Sequence, residues 1–183
     1  MTWFVVLAVV VGAGVIIYNG LVRLREQGDS AWADIDVQLK RRYDLIPNLV
    51  ETVKGYASHE RETLQAVIDA RSRAMAATTP GEITDAEKGL TGALKSLFAL
   101  AESYPELQAS GGFRDLQQSL GEVESALGNS RRYYNAVVRD YNTRIHQIPF
   151  NIIANAFGFR ERDFFEVDEE ERATPKVDFN DGS

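Results

Sequence analysis

FRDLQQSLGEVESALGNSRRYYNAVVRDY, residues 113–141, sets Phe113, Leu116, Leu120, Val123, Leu127, Ser130, Tyr134, Val137 and Tyr141 at alternating steps of three and four without a slip. Such steps average about 3.5 residues, the period that keeps one helix face turned toward a partner in coiled-coil-like packing. A strand would alternate every second residue. The stretch therefore predicts a long helix of a bundle, closing before Pro149.

The same spacing extends toward the N-terminus. Trp32, Ile35, Leu39, Tyr43, Ile46, Val50, Val53 and Ala57 make one stripe, and Leu64, Val67 and Ala70 continue it. A single helix over residues 29–77 would be roughly 70 Å long, well beyond a partner over residues 84–104. A kink is expected at Pro47, which lacks an N–H and crowds the carbonyl of Tyr43, and Asp44 is available to cap a restarted helix. TTPGEITD, residues 78–85, predicts a loop, with Thr84 as the next cap and Glu87 as its capping-box partner. Leu90, Leu94, Leu97, Phe98 and Ala101 carry the helix that follows, and SYPELQASGGF, residues 103–113, marks a connection. No segment can stand alone with one apolar face, so the fold class is all-α, the helices packing antiparallel with short loops.

WFVVLAVVVGAGVIIY, residues 3–18, is uncharged, and the uncharged run reaches Val22, about the length that crosses 30 Å of hydrocarbon. A cleaved signal peptide would need a positive charge ahead of the apolar run and small residues after it. Here no Lys or Arg precedes it and Ile16, Ile17 and Tyr18 end it, so an uncleaved anchor is expected. Trp3 and Tyr18 suit the two headgroup regions. Arg23, Arg25, Lys40, Arg41 and Arg42 all follow the span, which places the C-terminal part in the cytoplasm and a very short N-terminus outside. Gly20 and Gly28 are the weak points if the anchor continues straight into the bundle. The expected division is a transmembrane anchor at 1–22, a helical bundle at 23–159 and an acidic, loosely ordered tail at 160–183.

Composition excludes most chemistry. The 183 residues include no cysteine, which removes disulfides, thiolate metal sites and a cysteine nucleophile. The formal charge of -7 is concentrated in residues 160–183, where nine acids stand against four bases, so nucleic acid is a poor partner. His59-Glu60 begins like a zincin helix, but Thr63 stands where the second histidine belongs. No Glu-x-x-His pair, phosphate-cradling loop or G-x-S-x-G elbow is present. No catalytic, cofactor-binding or metal residue is assigned, and no cofactor is expected.

Polar residues on structural helices remain. Asn135 and Asn142 share a face two turns apart, and Asp34, Asp36, Gln38 and Asn48 are possible partners on the first long helix. They form either a ligand groove or a polar network that fixes helix register, with Arg131 or Arg132 paired to an acid; the network is the favoured reading. Asp44 and Glu51, seven apart, read as a wet helix face before a cation site. FNIIANAFGF, residues 150–159, is too apolar for water and too short to span, so it should dock, on its own bundle before a neighbouring subunit or the membrane. Phe164, Phe165 and Phe179 in the acidic tail look like side chains that need pockets, and such a tail can bind a partner protein.

YNGLVRLREQGDSAWADIDVQLKRRYDLIPNLVETVKGYASHE (18–60), LQAVIDARSRA (64–74), FRDLQQSLGEVE (113–124), RRYYNAVVRDYN (131–142) and IPFNIIANAFGF (148–159) together resemble the LemA family of bacterial membrane proteins. The resemblance implies one N-terminal transmembrane helix, an antiparallel four-helix bundle and no established enzymatic activity. It also points to a magnetosome-associated branch linked to formation of an internal membrane compartment. It carries no catalytic or ligand residues onto this chain. Ile148 before Pro149, where an aromatic is expected, and Gly111-Gly112 ahead of Phe113 are small departures. Two functions follow as expectations: a non-enzymatic scaffold in the bacterial inner membrane that self-associates, with Ala8 and Gly12 as a weak pairing surface, or a monomeric adaptor that binds a partner through a groove or the tail.

Overall fold

The structure, a computed structural model, describes residues 1–165. Six helices follow in order: α1 (Thr2–Tyr56), α2 (Arg61–Ala76), α3 (Pro80–Ala101), α4 (Pro105–Ala109), α5 (Gly111–His146) and α6 (Phe150–Phe157). Among the described residues there is no strand. Phe179 and the rest of the acidic tail lie outside the described residues.

The helix of α1 continues through Pro47. The Tyr43 carbonyl, which a residue-47 N–H would otherwise occupy, instead accepts from Arg71 Nε of α2 at 2.8 Å. The proline thus exposes an acceptor on α1, and α2 docks there. Arg71→Ala should cost about 1–2 kcal/mol for the lost partner. In a Pro47→Ala background the restored helix bond competes for the same carbonyl, and the cost should shrink. Thermal unfolding of the four proteins checks this, and equal costs in both backgrounds would contradict it.

The chain reverses ten residues beyond Pro47. α1 stops at Tyr56, the Ala57 N–H closes its last turn on Val53 O, and a turn at Ser58 and His59 leads to α2. The single helix expected over 29–77 is therefore two, and Asp44 caps nothing. Folding back lays Leu64, Val67, Ala70 and Ala74 against the stripe that ends at Ala57, where all are buried. An overhanging helix would have left them in water. The stripe keeps helical spacing on both sides of the turn, so periodicity alone conceals the break.

A second correction concerns α3. Its cap is Thr79, whose Oγ1 accepts from the Glu82 N–H at 3.3 Å while Glu82 Oε2 accepts from the Thr79 N–H at 3.1 Å. Thr84 and Glu87 repeat the same spacing inside the helix. Pro80 decides between them, because its fixed φ and missing N–H suit the first helical position. The N–H groups of Thr78 and then Thr79 hold the Glu82 carboxyl below the ordinary carboxylate range. Its contribution is present above that range and is lost as pH falls through the folded-state value. Glu82→Gln should therefore lower the melting temperature at neutral pH, with the gap narrowing on acidification; a gap independent of pH would count against the box.

α1, α2, α3 and α5 run up, down, up and down as a four-helix head, with α4 across its far end and Leu107 buried beneath it. Below the head, α1 and α5 continue as an antiparallel pair. The Trp32 and Tyr134 rings meet edge-on at 5.3 Å, and a second apolar cluster joins Leu21 to Tyr141, Ile145 and Ala154. The apolar N-terminal stretch of α1, long enough to cross a membrane, continues this helix with its side chains almost all exposed.

Candidate functional site

The two Tyr-Asn pairs of α5 meet the chain's own C-terminal segment. After α6, Gly158 takes a left-handed φ of 72°, which a side chain would strain. The backbone then rises along the groove between α1 and α5. Asn142 Nδ2 donates to Arg162 O at 2.9 Å and its Oδ1 accepts the Arg162 N–H at 3.0 Å. Asn135 does the same to Phe165, with both bonds at 2.8 Å. Between them, Tyr134 OH donates to Asp163 O at 3.0 Å.

The match is one of register. Two helical turns advance about 10.5 Å, and three residues of extended chain advance about 10 Å. A carboxamide offers one donor and one acceptor side by side, so each asparagine pairs with the N–H and C=O of one residue as a neighbouring strand would. This grip reads main chain, independent of side-chain identity. Side chains then fix the segment in place. Phe165 is buried, its ring 6.0 Å from Trp32 and under the Arg131 guanidinium at 4.6 Å. Arg162 reaches Asp29 at 2.7 Å, lying over Gly28, where a Cβ would stand 3.4 Å from the guanidinium.

Asp34, Asp36 and Asn48 are exposed on α1, and none of them or Gln38 partners the asparagines. The ligand groove considered from the sequence is filled by residues 160–165. Phe164, next to the buried Phe165, is exposed.

A second constellation, which sequence reasoning missed, lies in the head. Arg42 of α1 and Glu87 of α3, 4% and 3% exposed, pair at 2.7 Å. Arg42 also reaches Glu124 of α5 at 2.9 Å and donates to Thr91 Oγ1 at 3.0 Å, while Tyr43 OH donates to the other Glu87 oxygen at 2.9 Å. Arg131 stands 3.6 Å from Glu87; Arg132 bonds to Asn129. Burial, then the Glu87 charge, pushes the Tyr43 hydroxyl well above the usual tyrosine range, so it stays a neutral donor. Beside this knot a cleft of about 290 Å³ opens between α3 and α5, with Leu94, Phe98 and Leu120 in its walls. Its buried cation, Arg42, is already held by two carboxylates, and Lys95 lines the cleft as an exposed cation.

The remaining candidates stand apart. His59 is exposed in the α1–α2 turn, and Glu60 accepts from Tyr104 OH at 3.2 Å. Asp44 and Glu51 are exposed, Glu51 beside Lys54 at 3.3 Å. Among the described residues no three His, Asp or Glu side chains gather as a metal site.

The LemA family model matches residues 31–179. The magnetosome proteins MamQ 1 and MamQ 2 of Paramagnetospirillum magneticum are each 26% identical over 175 residues, covering 81% of this chain and 64% of theirs. A protein named LemA from Metamycoplasma hominis is 26% identical over 158 residues, covering 84% of this chain and 71% of its own. The chain thus spans less than two thirds of the length of the magnetosome relatives. Neither name is that of an enzyme.

Proposed function

Since the chain belongs to the LemA family of membrane-associated helical proteins, we propose that it is a non-enzymatic scaffold of the bacterial inner membrane, anchored by one span and self-associating to organise or shape the bilayer. The observation that carries this reading is α1 itself. One uninterrupted helix joins the apolar stretch to the four-helix head, so the head is coupled rigidly to that stretch. The relatives named as magnetosome proteins favour the same direction. The buried charges of the head pair with each other, which suits cohesion of the fold.

Orientation follows from the basic residues after the span. Arg42 is withdrawn from that count because it is buried and paired, but Arg23, Arg25, Lys40 and Arg41 remain exposed. They support a cytoplasmic head. An adaptor that takes a partner through the α1–α5 groove would first have to release residues 160–165, so the scaffold is preferred.

The test is the particle mass of full-length protein in detergent, by light scattering over a concentration series. Large particles of defined mass are expected; a monomer at every concentration sinks self-association. With no native cysteine, Gln108→Cys at the exposed far end of the head reports topology. In intact cells it should resist a membrane-impermeant maleimide, and ready labelling would invert the orientation.

A further inference from the structure

α6 follows the cis Ile148–Pro149 bond at the lower end of α5 and lies beside α1 at the level of the apolar stretch. Ile153 Cδ1 stands 3.9 Å from where a Cβ on Gly14 would be. The Tyr18 ring lies 4.8 Å from Phe157 and 5.7 Å from Phe159, and Ile17, Leu21 and Leu24 pack with Phe150, Ile153 and Ala154. Arg23 is the first charged side chain of α1. Gly14 precedes it by about 13 Å along the helix axis. An element packed at that depth shares the surroundings of the stretch it packs on.

The outward side of α6 suits those surroundings. Ile152 and Ala156 stand four residues apart on one face, with Phe157 adjacent, and Ile152 and Phe157 are each 63% exposed; Ile148, in the turn just before the helix, is 81% exposed. Charge borders this patch on the side of the head. Arg144 lays its guanidinium over the Phe150 ring at 4.8 Å and Arg25 over Phe159 at 5.6 Å, and exposed Arg23 lies on the same turns of α1. Apolar side chains below and guanidinium groups above are the arrangement of a helix at a lipid boundary, with the cations at headgroup level.

We propose that α6 is an interfacial helix that inserts Ile152 and Phe157, with Ile148 of the turn before it, into the acyl boundary of the bilayer that α1 crosses, giving each chain a second lipid contact beside its anchor. The proposal rests on reading the apolar stretch of α1 as the span. An insertion confined to one leaflet expands that leaflet, which is how a scaffold of this shape would favour curvature.

The test uses full-length single-cysteine variants labelled with the environment-sensitive dye NBD in phosphatidylcholine–phosphatidylglycerol liposomes. Ile152→Cys reports α6, with Ile148→Cys in the turn that leads into it as a second site should the first disturb folding. Val9→Cys reports the anchor and Gln108→Cys the head. Lipids spin-labelled at shallow and deep acyl carbons then serve as quenchers. The α6 labels should brighten several-fold on reconstitution and lose most of their emission to the shallow quencher, with Val9→Cys quenched by the deep one and Gln108→Cys by neither. Unquenched α6 labels beside a quenched Val9→Cys would overturn the proposal and leave the anchor standing. If Val9→Cys is unquenched as well, the anchor and this proposal fall together.

Discussion

Glu87→Ala lowers the unfolding free energy by about 3–5 kcal/mol, the usual loss when one partner of a buried ion pair is removed. It leaves Arg42 with the half-exposed Glu124 and takes away the carboxylate that the Tyr43 hydroxyl and Arg131 both face. For a chain of this size the loss corresponds to a melting temperature lower by about 10 °C. The larger point lies in the comparison. With Arg42→Leu added to Glu87→Leu, both charges go and much of the stability should return, because neither then suffers burial without its partner. Thermal unfolding in detergent, followed by circular dichroism, measures both variants. A double variant as unstable as Glu87→Ala would mean that the pair itself contributes net stability.

Asn135→Ala with Asn142→Ala should free the segment over residues 160–165. Each asparagine satisfies both main-chain groups of one residue, and groups left buried without partners cost about 1–3 kcal/mol apiece. The segment would leave its groove instead of enduring that cost. The head, built from other contacts, should keep most of its melting behaviour. Trypsin is the readout, since Arg162 is half-buried and tied to Asp29 in the wild type. Cleavage there should accelerate roughly 30-fold or more, in proportion to the shifted opening equilibrium. Asn→Asp variants keep the acceptor and lose the donor, and should fall between. If the cleavage rate of the alanine variant matched the wild type, the asparagines would not be what holds the segment.

Much of this fold was legible because apolar spacing maps directly onto burial. Ile35, Leu39, Ile46, Leu90, Leu97 and Leu127 are buried where the stripes place them. The turn at residues 57–60 was not, since the stripe resumes beyond it in register and the turn contains no proline. Arg42 and Glu87 were visible in retrospect. Arg42 stands between Leu39 and Ile46 and Glu87 between Ile83 and Leu90, opposite charges on two apolar stripes. A basic cluster and a capping box each account for one of them locally, and tertiary packing overrides both rules. The asparagines were legible as a shared face, but their partners are main-chain groups, which leave no trace in composition. The apolar stretch at 150–159 was legible as something that must dock, whereas its level beside Gly14 and Tyr18 depends on how far α5 descends.

The continuity of α1 turns the protein into a lever. From Arg23 to Tyr56 the helix extends about 50 Å above the apolar stretch, so a change of about 10° in the tilt of that stretch would swing the far end of the head by about 9 Å. Helices adjust tilt when the bilayer is thinner or thicker than their apolar length. We predict that the separation between the head and the lipid surface, measured by energy transfer from a label at Gln108→Cys, differs between short-chain and long-chain lipids; a constant separation would place a flexible joint at Gly20 or Gly28. Bilayer thickness, a property of the lipid alone, would then set where neighbouring heads can meet.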